Sequence, residues 1–464
     1  MQPFRLSALD LLKAYRARTL SPVETMRSVI ARVEAFEPHI AATFLFAPER
    51  ALAEARASEA RWAKGEPLGA LDGVPATVKD NIRTLGDPTP LGTAATESKP
   101  SPDDAPPAAR LKEAGAIVFA KTTMPDYGML SSGLSSYHKL ARNPWKRDRN
   151  PGGSSAGAGA AAAAQYGPLH VGTDIGGSIR LPASWCGLVG LKPSAGRVPI
   201  DPPYIGRVAG PMTRDVADAA LMMATLSRPD ARDYTSLEYR ALDWTAAPAK
   251  LAGLRVGLLL DAGCGVAPAP EVKAAVERAA RDFESAGARV EPLAPFLDEA
   301  MLQGLGRFWS TRQLTELESL TPERRAAVTP FIREWARPAE GLDGRAVFTG
   351  FNQIPAMAKA TVAATLPYDY VLSPTAPMTA FPAEWAMPGN DPADPFSHIG
   401  FTVAFNMSEQ PALSIGCGFD GEGLPIGLQI VGRRFDDLGV LALARVYETI
   451  RSAPMRAWPE PPSA

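Results

Sequence analysis

Three short segments of the sequence carry side chains that could do chemistry together. They contain, in chain order, Lys79, the pair Ser154-Ser155, and Ser178 at the end of the stretch Ile175-Gly176-Gly177. The two consecutive glycines let the backbone turn sharply, so that several N–H groups point into one concavity. Such a concavity can hold the oxyanion that develops when a carbonyl carbon is attacked. Ser178 is therefore a candidate nucleophile.

A serine hydroxyl is a weak nucleophile and needs a base. The histidines are far apart in the sequence, and none adjoins these segments in a recognisable pattern: His39, His138, His170 and His398. A buried lysine can replace histidine, because desolvation lowers the lysine pKa toward neutrality. The residues thus indicate Lys79 as the candidate base and nucleophilic attack on a carbonyl as the candidate chemistry.

Each segment also has an ordinary structural interpretation. A Gly-Gly-Ser loop is commonly just a turn, and 172–178 has neither the GxGxxG nor the GxxxxGKS pattern of a phosphate-binding loop. Lys79 beside Asp80 could be a solvated charge pair, and Ser154-Ser155 before an alanine run could cap a helix. The joint presence of all three segments favours catalysis over three separate coincidences.

The elements that must position these segments alternate between helix and strand. Helices are predicted from apolar spacing and capping signals over 6–36 (two helices), 51–64, 105–114, 156–165, 216–226, 271–286 and 438–451. Strands are predicted from apolar runs bounded by turn signals at 74–79, 117–120, 169–172, 254–260, 289–291, 370–372, 413–419 and 426–431. This alternation indicates an α/β fold with a mostly parallel sheet. The stretch 229–248 is predicted to be a surface connection.

The composition of the 464-residue chain excludes several classes of protein. A net charge of −2 gives no overall basic surface for nucleic acid or an anionic membrane. The three cysteines lack CxxC spacing and predict no disulfide framework or zinc site: Cys186, Cys264 and Cys417. The first residues are not expected to form a signal peptide, and the sequence shows no run of about 20 apolar residues. We expect a cytoplasmic protein with no metal, cofactor, nucleic-acid partner or membrane partner.

The segment from Pro151 to Val198 strongly resembles the signature of the amidase signature family. It contains PGGSSAGAG, GTDIGGSIRLPASWCGLVGLKPSAGRV and the serines singled out above. Further matches, which extend the resemblance over nearly the whole chain, lie at 71–80, 121–128, 210–215 and 423–432. The resemblance implies an α/β fold with a mixed, twisted central sheet surrounded by helices. It implies one domain over 1–464, with N-terminal helices in 1–65, the catalytic core in 66–230 and a variable, helical substrate-cleft region in 296–365.

The family resemblance also implies a role for each candidate residue. Ser178 is the nucleophile, Ser154 bridges after a cis peptide bond, and Lys79 is the general base that acts through Ser154. The backbone N–H groups implied as the oxyanion hole belong to Ile175, Gly176, Gly177 and Ser178. The residues implied to order these loops are Ser155, Asp174 and Arg180. The implied reaction is amide hydrolysis through an acyl-enzyme on Ser178.

The resemblance defines the reaction more narrowly than the substrate. The loop 124–136 follows a predicted strand and is expected to face the cleft. Its candidate substrate contacts, for which ordinary packing is an equally good explanation, are Tyr127, Gly128 and Met129. Aromatic residues in 296–365 could line an apolar tunnel, although core packing is the commoner role. We expect a broad-specificity amidase, monomeric or homodimeric, acting on small apolar or aryl amides or on carbamates.

Two other functions of an amidase fold, and one of another fold, are weighed against this expectation. One is the glutaminase component of a tRNA-dependent amidotransferase, its A-subunit, which the resemblance implies would use the same triad with a partner chain. A glutamine pocket needs paired charges that the sequence does not reveal, and Pro199-Ile-Asp-Pro-Pro203 departs from that protein's pattern. The other is an inactive binding protein on an amidase fold, which the joint presence of lysine and serines disfavours. A metal hydrolase is disfavoured by the scarcity of His and Cys.

Overall fold

The computed structural model describes residues 2–244 and 248–462. Of the predicted connection over 229–248, residues 245–247 lie outside the described residues, and the remainder forms no helix or strand. Within the described ranges, no helix is both long enough and apolar enough to cross a membrane.

The strands of the described chain join into one eleven-stranded sheet. They are β1 (Thr43–Phe46), β2 (Pro75–Lys79), β3 (Ile117–Thr122), β4 (Leu169–Asp174), β5 (Val189–Lys192), β6 (Val208–Thr213), β7 (Arg255–Leu258), β8 (Arg289–Pro292), β9 (Tyr370–Pro374), β10 (Ala412–Phe419) and β11 (Pro425–Gly432). Their order across the sheet is β1-β3-β2-β4-β6-β5-β10-β11-β9-β7-β8. Strands that lie far apart in sequence, such as β5 and β10, are therefore neighbours in space.

The sheet is mixed, in agreement with the family resemblance. Parallel pairs occur on its two flanks, where β2 pairs with β3 and β4, and β7 pairs with β8 and β9. Antiparallel pairs run through the centre, from β4-β6 across β5 and β10 to β11-β9. The mostly parallel sheet expected from helix–strand alternation is thus wrong for the centre. Alternation could not reveal this arrangement, because no strand is predicted at β5 or β6, which are only four and six residues long.

The α-helices surround the sheet. They are α1 (Ala8–Ala17), α2 (Pro22–Ile40), α3 (Pro48–Lys64), α4 (Pro106–Glu113), α5 (Ala156–Ala163), α6 (Arg180–Cys186), α7 (Val216–Leu226), α8 (Pro270–Ser285), α9 (Glu299–Glu318), α10 (Pro322–Ala327), α11 (Pro330–Ala336), α12 (Gly344–Phe351), α13 (Gln353–Thr365), α14 (Gly400–Met407) and α15 (Asp437–Ile450). Ser21 and Glu24 form a capping box at the start of α2, with Pro22 at its first position. The predicted helical character of 296–365 is confirmed by α9 to α13.

Two apolar clusters hold these layers together. The larger cluster joins buried residues of α1, α4, α7, α8 and α15 to strands across the sheet, including Val78 of β2 and Leu428 of β11. The second cluster joins α9, α11, α13 and α14 around Trp309 and Phe396. The first cluster packs against the strands that carry candidate catalytic residues. The second cluster lies on the side of the molecule that faces those residues.

The alanine-rich helix α5 is buried along its whole length. A Cβ atom at Gly157 would lie only 2.1 Å from the Ala42 carbonyl oxygen and 2.4 Å from the Thr123 backbone nitrogen. Only glycine fits such a close approach between a helix and a neighbouring backbone. The small residues of this segment therefore serve tight packing, as the sequence predicts, and not a linker.

Candidate active site

The sheet topology brings the chemically active segments to one edge. β2 ends at Lys79 and β4 ends at Asp174, and the two strands pair in parallel, with Val78 opposite Val171. The carboxyl ends of parallel strands lie at the same edge of a sheet, where α/β proteins commonly place their sites. Helix α5 packs on both strands and begins at Ala156, so that Ser154, just before it, reaches the same edge.

The amine of Lys79 is fully buried and is surrounded by oxygen atoms. Its Nζ lies 2.8 Å from Ser154 Oγ, 3.0 Å from Thr173 Oγ1 and 3.5 Å from the Thr173 carbonyl oxygen. Asn81 Nδ2 donates to the same threonine hydroxyl at 3.1 Å. With two N–H groups directed at Thr173, a neutral amine has its lone pair left for Ser154.

The environment of Lys79 favours the neutral amine. Burial lowers the pKa of Lys79 well below its usual value, and the positive charge of Arg207 lowers it further. The carboxylates of Asp174 and Asp80 oppose this shift without reversing it. A lysine with a strongly lowered pKa can accept a proton near neutral pH, which is the requirement for a general base.

The two serines of the implied triad line one cleft. The Gly153-Ser154 peptide bond is cis, Ser154 is 3% exposed, and Ser178 is half-buried. The Ser155 backbone N–H donates to the Ser178 carbonyl oxygen at 3.2 Å, which ties the two segments together. No hydrogen bond joins the hydroxyls of Ser154 and Ser178 here, so the relay between them stays a prediction. Catalytic hydrogen bonds often tighten only when substrate binds.

Ser155 occupies the N-cap position of α5 but does not cap it. Its side chain makes no capping hydrogen bond, and its hydroxyl instead donates to the Thr173 carbonyl oxygen at 3.2 Å. The backbone N–H of Thr173 returns a hydrogen bond to Ser155 Oγ at 3.3 Å. The helix-cap interpretation of this serine pair is therefore wrong for Ser155, whose hydroxyl links α5 to β4.

The Gly-rich turn after β4 has one of its N–H groups already engaged. Gly177 has a φ of +129°, and its N–H donates to Asp174 Oδ1 at 2.8 Å. A Cβ atom there would lie 2.9 Å from Leu181 Cδ1 and from Thr402 Oγ1. The N–H of Gly177, one of the four predicted oxyanion donors, is thus engaged in ordering the turn in this structure. The oxyanion role stays a prediction for Ile175, Gly176 and Ser178.

Asp174 and Arg180 form a fully buried ion pair beneath this turn. Arg180 donates to both Asp174 oxygens, from Nε at 3.0 Å and from Nη2 at 2.9 Å. Burial alone would raise the pKa of Asp174, but the Arg180 charge and hydrogen bonds from Arg180, Asn406 and Ile179 hold it well below its usual value. The carboxylate also accepts from the Gly177 and Ile179 backbone, so it fixes the loop that carries Ser178.

Sequence reasoning did not identify the residues that complete this ion pair. The Arg180 Nη1 atom donates to Gln429 Oε1 at 2.7 Å and to the Thr402 carbonyl oxygen at 2.9 Å, and Asn406 Nδ2 donates to Asp174 at 2.9 Å. Gln429 lies in the matched stretch 423–432, which could have suggested it. Thr402 and Asn406 lie on α14, which no sequence signal predicted. A buried arginine with this many partners is rigidly held.

Two adjoining cavities open from Ser178. The first, which we call the apolar pocket, has a volume of about 40 Å³ and is lined mainly by Leu130, Leu181, Trp309, Met387, Phe396 and Ile399. The second, which we call the polar cleft, has a volume of about 480 Å³ and is lined by polar and charged side chains together with Ser154. Gly128, Met129, Ile175, Ser178 and Arg312 line both cavities.

The structure places each predicted substrate contact beside the nucleophile. Gly128 and Met129 line both cavities, and Tyr127 lines the polar cleft. From the variable helical region, α9 contributes Trp309 to the apolar pocket and Arg312 to both cavities. The other aromatic residues of 296–365 mostly pack against one another, as Phe308 does on Phe351. In the part of the chain that the structure describes, no group of three His, Cys, Asp or Glu residues could hold a metal ion.

Both the fold and the arrangement of lysine and serines define the class of protein. The family model described as Amidase matches residues 24–441, so the chain belongs to the amidase family. It is a hydrolase that acts on carboxylic amide C–N bonds.

Particular relatives differ in activity. The chain is 36% identical to the A-subunit of the Glutamyl-tRNA(Gln) amidotransferase from Myxococcus xanthus (strain DK1622), over 98% of this chain and 100% of that protein. It resembles the structure of a bacterial aryl acylamidase of the amidase signature family with a TM-score of 0.87, at 29% identity over 96% of each chain. It also resembles the native peptide amidase from Stenotrophomonas maltophilia, with a TM-score of 0.82 at 25% identity over 99% of each chain.

Proposed function

We propose that the chain is a stand-alone amidase that hydrolyses amides with an apolar or aryl acyl group through an acyl-enzyme on Ser178. The observation that carries the proposal is the apolar pocket at the nucleophile. Ser178 lines it together with Ile175 and Gly176, whose N–H groups are the expected oxyanion donors. An acyl carbonyl held by those donors directs its substituent into a wall of apolar and aromatic side chains.

The proposed reaction begins with a proton relay. Neutral Lys79 accepts the Ser154 proton while Ser154 accepts the proton of Ser178, and Ser178 Oγ forms a bond to the carbonyl carbon. The tetrahedral oxyanion is stabilised by the N–H groups of the Gly-rich turn. The C–N bond then breaks as the proton returns through Ser154 to the leaving nitrogen. Water attacks the acyl-enzyme by the same relay, releases the acid and restores the proton of Ser178.

The proposed chemistry admits either an amide or a carbamate. A carbamate adds one oxygen atom on the acyl side, and the same nucleophile can attack its carbonyl carbon. Trp309 and Phe396 meet edge to face, with ring centroids 5.1 Å apart, and offer an aryl group an aromatic wall. The similarity to a bacterial aryl acylamidase supports an aryl substrate. We therefore include aryl carbamates in the proposed substrate class.

The glutaminase component of a tRNA-dependent amidotransferase is a second candidate, which the 36% identity to such a protein favours. Glutamine would place both an ammonium and a carboxylate group on the acyl side of the scissile bond. Among the described residues that line the apolar pocket, Arg312 is the one charged side chain, and none is acidic. An ammonium group would find no carboxylate there, and this argues against glutamine as the substrate.

The test is an assay of the purified chain on 4-nitroanilides of apolar and aryl acids. We expect wild-type protein alone to release nitroaniline and Ser178→Ala to release none above the uncatalysed rate. Ser310→Ala is the matched control, because the Ser310 hydroxyl donates to the Arg307 carbonyl at 3.0 Å within its own helix. Ammonia release from glutamine, obtained only with partner proteins and without anilide cleavage, would favour the second candidate instead.

A further inference from the structure

The polar cleft contains two arginines to which the proposed reaction assigns no contact with the substrate. Arg207 is half-buried just before β6, and Arg312 projects from α9. Both line the same cleft as Ser154 and Ser178. The two elements that carry them are about 100 residues apart in sequence, so the fold brings two positive charges together at the reacting centre.

Neither guanidinium has an acidic partner. Across the described ranges, no carboxylate lies within 4.0 Å of Arg207 or Arg312, whereas Arg83, in the same cleft, is paired with Asp103 and Asp201. Arg207 donates one long hydrogen bond of 3.5 Å to the Pro202 carbonyl oxygen. Unpaired charge of one sign, partly removed from water, is a site that attracts a ligand of opposite sign.

The two guanidinium groups are positioned to bind an anion, because one is held by an aromatic ring and their charges repel each other. The Arg312 guanidinium stacks over Tyr204, with its carbon 4.0 Å from the ring centroid, and this fixes its orientation. Burial and the nearby Arg312 charge lower the pKa of Arg207 to about 10, against the opposing effect of Asp201, so Arg207 remains charged at neutral pH. Glu316, also in the lining, offsets one of the two charges. The lining also holds Arg83, Asp174 and Asp201, whose charges are engaged in ion pairs: Arg83 with Asp103 and Asp201, and Asp174 with Arg180. Among the charged side chains of the lining that are in no ion pair, Arg207 and Arg312 therefore exceed Glu316 by one positive charge.

The position of Ser154 tells which part of the substrate meets these arginines. Ser154 lines the polar cleft, whereas the lining of the apolar pocket does not include it. In the proposed reaction the proton reaches the leaving nitrogen through Ser154. The leaving amine must therefore lie on the side of the polar cleft, with the acyl group in the apolar pocket.

We propose that Arg207 and Arg312 form a subsite for a carboxylate carried by the leaving amine. The substrate class that follows is an apolar or aryl acid joined in amide linkage to an amino carboxylic acid. Guanidinium groups bind carboxylates through paired hydrogen bonds, which two convergent arginines can supply. This inference rests on the proposed function for the direction of the substrate, and the experiment below separates the two.

The kinetic test compares two anilides with the same phenylacetyl group. One releases 3-aminobenzoate and the other releases 3-aminobenzamide, which has similar size and no charge. We expect wild-type kcat/KM to favour the carboxylate by about tenfold or more. Arg207→Gln and Arg312→Gln should each reduce that ratio severalfold, and added salt should reduce it in the wild type. Arg345→Gln, an exposed arginine outside the cleft, should keep the wild-type ratio.

A binding measurement separates the subsite from the reaction. With Ser178→Ala, the dissociation constants of the two anilides are measured by calorimetry, with and without each arginine substitution. Tighter binding of the carboxylate that is lost with Arg312→Gln would support the subsite even if no anilide were cleaved, a result that would overturn only the proposed function. Equal binding of both anilides, or a preference that survives both arginine substitutions, would overturn the subsite while leaving any observed cleavage intact.

Discussion

Lys79 illustrates how burial converts an ordinary side chain into a base. The lysine must be neutral to accept a proton, so activity should fall as the pH drops through its lowered pKa and the lone pair becomes protonated. Arg207 helps to lower the pKa of Lys79, while Asp174 and Asp80 oppose it. Because a neighbouring positive charge disfavours the protonated amine, removal of that charge should raise the pKa of Lys79.

The corresponding prediction concerns the pH dependence of kcat/KM on a neutral anilide. We expect a rising limb as pH increases through the Lys79 pKa, and we expect Arg207→Gln to move that limb to higher pH. Arg345→Gln removes a distant charge and should leave the limb in place. If the rising limb of Arg207→Gln lay at the same pH as in the wild type, or at lower pH, the electrostatic link between Arg207 and Lys79 would be contradicted.

Gly128 tests how closely the substrate loop approaches the bridging serine. Its φ is +70°, and a Cβ atom there would lie 3.2 Å from Ser154 Oγ. We expect Gly128→Ala to lower kcat by about tenfold or more, since small displacements of catalytic groups are costly. Gly86→Ala is the matched control, because Gly86 has a φ of +79° and open space around its Cβ position.

Both substitutions place alanine in the left-handed region, at a similar cost of about 1–2 kcal/mol. Thermal unfolding should therefore respond alike in the two variants, while the rate of anilide cleavage should fall only in Gly128→Ala. Equal activity of the two variants would show that Ser154 tolerates the added methyl group, and the proposed role of the loop at the reacting centre would then be wrong.

The Gly-rich turn between β4 and α6 depends on one buried carboxylate. Asp174→Asn would leave the Arg180 guanidinium buried without its counter-charge. Breaking a buried pair in this way typically costs about 3–5 kcal/mol. We expect a loss of that order in the free energy of unfolding, measured with urea, and a loss of activity even in folded protein. Glu291→Gln breaks the surface ion pairs with Arg255 and Arg289 and should leave the urea midpoint nearly unchanged.

Sequence patterns predicted elements well where a single local signal sufficed. The strands that end near Lys79 and Asp174, together with β10 and β11, are predicted because apolar runs are bounded there by turn residues. β5, β6 and α14 were missed, since they are short or become regular only through long-range pairing. Arg312 was missed for a related reason, because helical spacing does not reveal which face of α9 meets the cleft.

Ser154 and Ser178 could be named from sequence because they lie in short Gly- and Ser-rich segments. Lys79 could be named because no histidine adjoins those segments and because the family resemblance implies a lysine base. The hydrogen-bonding environment of these residues could not be predicted from the sequence. The hydrogen bonds of the lysine amine to Thr173, and of Asn81 to the same threonine hydroxyl, depend on the parallel pairing of β2 with β4. The division between apolar pocket and polar cleft likewise depends on segments more than 100 residues apart, which no local pattern relates.

At the scale of the whole molecule, the strand order places strands from near the C-terminus between strands from earlier in the chain. β10 and β11, near the C-terminus, lie between β5 and β9 in the middle of the sheet. Neither flank can separate without exposing the unpaired edge of a buried strand. We therefore propose that residues 1–464 form one domain and unfold cooperatively. Coincident transitions in far-UV circular dichroism and tryptophan fluorescence are expected, and two separated transitions would contradict the single domain.

The central claim is that Ser178 carries the acyl group. The most direct measurement is to treat the protein with a serine-reactive fluorophosphonate and locate the adduct by peptide mass spectrometry. We predict one adduct, on Ser178, formed with loss of anilide cleavage and absent from Ser178→Ala. Labelling of Lys79→Met should be much slower, because its relay lacks a base. Inactivation through another residue, or undiminished amide hydrolysis by Ser178→Ala, would contradict the account.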